Sequence, residues 1–157
     1  ITLPDATDTL VGKATTDTLT NKTLTTPTIG DMTNATHDHT DAAGGGILGT
    51  IPQRSISAAE TLVLSDAGKH LLHPSADTTA RIWTIPVNTS VDYPDGTAIT
   101  FVNQDSAGVL TIKIASADVM RLAGAGTTGD RTLAANGVAT AVKVSNTEWI
   151  ISGVGLT

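Results

Sequence analysis

TAITFVNQDSAGVLTIKI, residues 97–114, decides the fold class. Thr97–Asn103 reads as a strand, with Phe101 expected in the core. Gln104-Asp105-Ser106-Ala107-Gly108 is rich in turn formers. Val109–Ile114 then alternates, with Leu110, Ile112 and Ile114 on one face and Thr111 and Lys113 on the other. The stretch predicts strand, turn, strand.

The same rhythm extends in both directions. Upstream, Thr61–Leu64, Lys69–His73 and Thr79–Ile85 read as strands, with Ser65-Asp66-Ala67-Gly68 as a turn and Pro86 as a stop. Tyr93-Pro94-Asp95-Gly96 is a second turn. Downstream, Val119–Ala123 and Arg131–Ala134 flank a loop over residues 124–130. Asn136-Gly137 is a hairpin dipeptide. Val138–Val144 follows with Val138, Val142 and Val144 on one face, and Glu148–Ser152 comes last. No helical period of useful length is present. Short strands with turns every eight to twelve residues predict an all-β sandwich or jelly-roll-like knob over residues 56–157.

Residues 1–43 have another character. Two nine-residue units, DTLVGKATT (8–16) and DTLTNKTLT (17–25), share Asp, Thr, Leu, Lys and Thr at equivalent places. Leu10, Leu19, Leu24 and Ile29 are spaced too sparsely for one chain to bury, but three chains could bury them against one another. The alternative is a disordered tether dominated by Thr, Asp and Lys. Residues 44–55 open with Gly44-Gly45-Gly46 and read as a hinge and connector. No GK[ST] follows the glycines, so they are a poor phosphate loop.

THDHTD, residues 36–41, carries the strongest chemical signal. In an extended strand His37 and His39 face the same side. Three parallel copies around an axis would gather six imidazole nitrogens there, a set suited to Fe²⁺ or another octahedral transition metal. Two exposed histidines in a polar loop is the plainer reading.

Composition bounds the function. A formal charge of -6 and a pI near 4.9 argue against a nucleic-acid surface. No apolar run is long enough to insert in a membrane. There is no Cys, which removes disulfide and thiol chemistry. Thr supplies roughly a fifth of the residues, far above ordinary usage, and aromatics are scarce. The first residue is Ile, which predicts a fragment or a processed chain.

GKATTDTLTNKTLTTPTI (12–29) followed by ATHDHTDAAGGG (35–46) resembles segments of tailed-bacteriophage fibre proteins. LSDAGKHLL (64–72), WTIPVNTSVDYPDGTAITFVNQ (83–104) and TEWIISG (147–153) resemble small β-domains at the ends of tail fibres and other virion proteins. The resemblance covers nearly the whole chain. It implies a homotrimer with an extended, intertwined fibre segment before a knob. It places the protein in the virion, attached to other virion proteins. In some such fibres His-x-His motifs hold iron on the threefold axis, which carries ligation over to His37 and His39. This chain has one such motif where well-known needle regions carry several.

The expected role is host recognition by a tail fibre, through a cell-surface glycan or protein. A capsid-attached head fibre or decoration protein shares the same local features, and a polysaccharide-degrading tailspike is a third class. Tyr93 and Asp95 in one turn, and Thr127 and Asp130 in the 124–130 loop, are the expected receptor contacts, because loops on a rigid β scaffold carry recognition. Trp83, Phe101 and Trp149 sit within strands and are expected in the core. No catalytic set stands out: Ser65, Asp66 and His70 lie in and beside a turn without a G-x-S-x-G context. The Asp residues fall mostly in turns, where backbone bonding explains them. His70 and His73 are three apart in a strand and face opposite sides, which predicts structural roles rather than a paired ligand set.

Overall fold

The computed structural model describes residues 50–157, together with Thr23. Within them nine strands follow in order: β1 (Gln53–Ser55), β2 (Glu60–Thr61), β3 (His70–His73), β4 (Arg81–Ile85), β5 (Ala98–Asn103), β6 (Leu110–Ile114), β7 (Val119–Leu122), β8 (Arg131–Ser145) and β9 (Glu148–Leu156). A short 3-10 turn over Leu64–Asp66 is the one helical element among the described residues. The unit is all-β.

The strands form one curled sheet in the order β1-β3-β5-β8-β6-β4-β2, with β9 beside β8 and β7 beside β9. Alternate strands pair. β1 and β2 lie at the two ends of the order; β3 with β4, and then β5 with β6, each add a parallel neighbour on the inner side of the strands before them. Only residues 56–59 separate β1 from β2, yet these strands occupy opposite ends of the sheet. So short a connection forces the ends together and the sheet must curl.

Two expectations change here. A jelly roll is built from antiparallel pairs, whereas β1-β3, β3-β5, β2-β4, β4-β6 and β7-β9 are parallel. Asn136-Gly137 does not close a hairpin. β8 runs through it, pairing β6 along Arg131–Leu133 and β5 along Gly137–Val142. Asn136 takes φ 62, and the register against β9 shifts between Leu133 and Val138. The positive φ that suits a two-residue turn serves a bulge, which bends one strand between two partners. β1 also starts inside the residues expected to be connector: Gln53–Ser55 pairs with His70–Leu72.

The core lies within the curl. Trp83, Phe101 and Trp149 are buried as expected, with Ile85, Ile99, Leu110, Ile112, Leu133 and Ile151 around them. Trp83 also donates its indole N–H to the Ala58 carbonyl at 3.0 Å, which ties the β1–β2 connection to the core. Each large aromatic removes about 150–250 Å² from water, worth about 4–6 kcal/mol before entropy is charged. The bulk of these rings explains β8. Phe101 faces Ala139 and Ile99 faces Ala141 across the ladder, so where β8 meets these two side chains its inward positions are held by Ala. Val138, Val142 and Val144 take the other face and are exposed. The alternation was legible; the side that is buried was not.

Candidate functional site

Two loops carry the residues expected at a recognition surface, and a buried cation pins each. The first loop lies between β4 and β5. Lys143 points inward from β8 and is 2% exposed. Its ammonium donates to Asn88 Oδ1 and to the Tyr93 carbonyl, with Asp92 Oδ1 at 3.8 Å and Asp95 Oδ1 at 4.0 Å. An ammonium has three donors and no acceptor, so it gathers oxygens as a small cation does. The backbone closes the same clasp: Gly96 N–H donates to the Lys143 carbonyl at 2.8 Å. Asn88 N–H donates to Asp118 Oδ2 at 3.0 Å, anchoring the loop's start.

Tyr93 is not an exposed contact. It is 1% exposed, its hydroxyl donates to the Val63 carbonyl at 2.7 Å, and its ring meets Trp149 edge-on at 5.5 Å. Burial, aided by the Asp66 carboxylate, holds its phenol above the ordinary range. A turn sequence signals where the chain reverses, and here the tyrosine ring turns back under that reversal. Asp95 remains at the surface, with its side chain 58% exposed, beside Asp92.

The second loop joins β7 to β8. Thr127 and Asp130 are exposed, as expected. Arg131, nearly buried, donates to the Thr127 carbonyl, the Thr127 hydroxyl and the Asp130 carbonyl. Asp130 Oδ1 accepts from Ile114 N–H at 3.0 Å. Gly124, Gly126 and Gly129 adopt positive φ, which lets the loop fold back so that Leu122 N–H reaches the Thr127 carbonyl. No hydrogen bond or ion pair among the described residues joins this loop to the Asp92–Asp95 loop.

The remaining polar clusters hold the scaffold. His73 is fully buried, while His70 on the opposite face is half-buried, as the spacing predicts. His73 Nδ1 lies 2.9 Å from Asn103 Oδ1, and Nε2 lies 3.1 Å from Asp77 Oδ2. Asn103 spends its amide N–H groups on the Gly108 and Leu133 carbonyls, so its oxygen faces the ring. Asp77 also accepts from Arg81 Nε at 2.7 Å. Asp66 is engaged by Arg54 at 2.9 Å and by Val63 N–H at 3.0 Å, and Arg54 reaches Glu60 as well. Ser65, Asp66 and His70 are therefore not brought together as a reacting set.

His37 and His39 lie outside the described residues. Among those described, no group of three or more His, Cys, Asp or Glu is placed to hold a metal ion. No described helix is long and apolar enough to cross a membrane.

Sequence reasoning passed over one feature. Val138, Val142 and Val144 on β8 share their outward face with Ile150 and Val154 on β9, because Val142 pairs with Ile150 and Val138 with Val154. All five are exposed, Val154 at 81%. The alternation in residues 138–144 held the signal, had both faces been weighed. No protein-family model matches the chain, and no curated protein matches it.

Proposed function

We propose that the protein is a structural component of a tailed-phage virion, a homotrimeric tail fibre that acts in host attachment. Residues 1–43 form the intertwined assembly segment in this reading, and the all-β unit forms the outward knob. The observation that carries it is the fibre-like run GKATTDTLTNKTLTTPTI with THDHTD, set ahead of a compact β unit. The loop architecture supports it, since two surface loops are held rigid by the buried Lys143 and Arg131 while their exposed groups face solvent. Rigid loops lose little entropy on binding a surface. Asp95, Thr127 and Asp130, together with Asp92, are the proposed contacts to a host glycan or protein. Tyr93 drops out because it is buried.

Individually weak contacts on three copies add through avidity. His37 and His39 of each copy are proposed ligands for one Fe²⁺ on the axis. Each imidazole must be neutral to bind, so acid releases the ion. Elemental analysis after supplying Fe²⁺ is expected to give one iron per three chains, and His37→Ala to abolish it. A content below about a tenth of that removes the metal from the reading.

Antibody against the purified chain, imaged on virions, tests the assignment. Labelling at the tips of tail fibres is the expected result. Labelling of the capsid replaces the tail fibre with the head-fibre alternative, and unlabelled virions overturn both.

A further inference from the structure

We propose that Lys143 and Asn88 join in an amide bond, formed by the folded chain itself, that fastens the β4–β5 loop to β8. The inference is independent of the fibre reading, since it needs only the folded chain.

The parts of an amide-forming site meet at this clasp. The nucleophile is the Lys143 amine, on a residue only 2% exposed. The electrophile is the Asn88 carboxamide, whose Oδ1 accepts a hydrogen bond from that amine. The carbon to be attacked is one bond from Oδ1, so a small turn of the amide brings it to the nitrogen. Asp92 and Asp95 are the proton acceptors, with their Oδ1 atoms 3.8 and 4.0 Å from the amine. That span suits transfer directly or through one water. Neither reacting residue is free to drift. Lys143 N–H donates to the Thr97 carbonyl at 2.9 Å, and Gly96 N–H donates to the Lys143 carbonyl at 2.8 Å. Asn88 N–H is held at 3.0 Å by Asp118 Oδ2, and Asp118 is itself buried.

The step balances without an oxidant, metal or cofactor. The Lys143 ammonium gives a proton to Asp92 or Asp95, which frees its lone pair for attack. The lone pair forms the Nζ–Cγ bond on Asn88. The Cγ–Nδ2 bond then breaks with its electron pair on nitrogen. Nδ2 takes the carboxyl proton and one more from Nζ, and it leaves as ammonium. One cation is consumed and one released. Aminolysis of an amide is slow between free molecules. Groups held in contact react as if at about 10⁵–10⁸ M, and that is the acceleration the fold supplies. The bond therefore forms after folding, from the hydrogen-bonded clasp. It links residues 55 apart and encloses β5, β6 and β7. Such a link constrains the unfolded chain as a disulfide does. The chain has no Cys, so no disulfide can do this.

The test is mass spectrometry, in denaturant, of the full wild-type chain after prolonged incubation in its folded state at neutral pH. The mass is expected to fall short of the sequence mass by one ammonia. Trypsin does not cut after an acylated Lys143, so digestion is expected to release residues 82–113 joined to residues 132–157. Lys143→Met and Asn88→Ala are each expected to keep the full mass. A wild type of full mass overturns the bond. So does a loss of ammonia without the joined peptide, because a succinimide at Asn136-Gly137 releases the same ammonia. Replacing both exposed carboxylates, Asp92→Asn with Asp95→Asn, is expected to slow the joining. A double variant that joins as fast as the wild type overturns their part in proton transfer and leaves the bond standing.

Discussion

Lys143 shows how one side chain sets the shape of a loop. It points inward from β8 and ends among the Asn88 Oδ1 and Tyr93 carbonyl oxygens, near the exposed carboxylates of Asp92 and Asp95. Removing its ammonium leaves Asn88 Oδ1 and the Tyr93 carbonyl without a donor. Lys143→Met keeps the stem and deletes the charge, and it is expected to cost about 3 kcal/mol. Urea unfolding reads this as a lower midpoint at unchanged slope. Asp77 makes a pH-dependent contribution. The Arg81 guanidinium, then the Thr79 amide and His73, hold its carboxyl well below the usual carboxylate range. A depressed carboxyl stabilises the fold above its unfolded pKa of about 3.9 and loses that contribution as pH falls through the folded value. Acid titration by circular dichroism is expected to show a fold that weakens below about pH 4, and Asp77→Asn is expected to flatten that dependence.

At the element scale, the β8–β9 ladder leaves no room for a side chain at Gly153. A Cβ on Gly153 would stand 2.3 Å from the Val138 carbonyl oxygen and 2.5 Å from Ala139 Cα. Both are backbone atoms in the ladder and cannot yield without breaking it. Gly153→Ala is expected to cost about 3 kcal/mol or more, read as a lower thermal midpoint. Gly155 is different, with φ 80, and it needs its glycine for the backbone itself. Strand existence was legible because the strand, turn, strand reading of residues 97–114 survives folding in β5 and β6. Strand pairing was not, since a period of two says nothing about which neighbour a strand takes. Asn136-Gly137 misleads because the same positive φ serves a hairpin or a bulge. Val138, Val142 and Val144 mislead because alternation names two faces, and the buried one belongs to whichever set the facing aromatics can accommodate. Tyr93 was misplaced for a related reason: a turn fixes the backbone, while the ring follows the nearest apolar space beside Trp149. Thr127 and Asp130 were placed at the surface correctly because the glycines around them leave nothing to bury.

For the whole molecule, charge and apolar surface act in opposition. Each copy carries a formal -6, and in the proposed trimer every added copy brings more like charge. In the proposed trimer, contacts between uncharged groups do not depend on ionic strength, while the repulsion does. Salt shortens the reach of exposed charges from about 10 Å at 0.1 M to about 3 Å at 1 M. A trimer held by uncharged contacts should therefore tighten as salt rises. Sedimentation equilibrium at about 0.05 M and about 0.5 M NaCl measures it: the trimer is expected to dissociate at a several-fold lower protein concentration in the higher salt. Assembly that weakens with salt would mean that ion pairs hold the copies together.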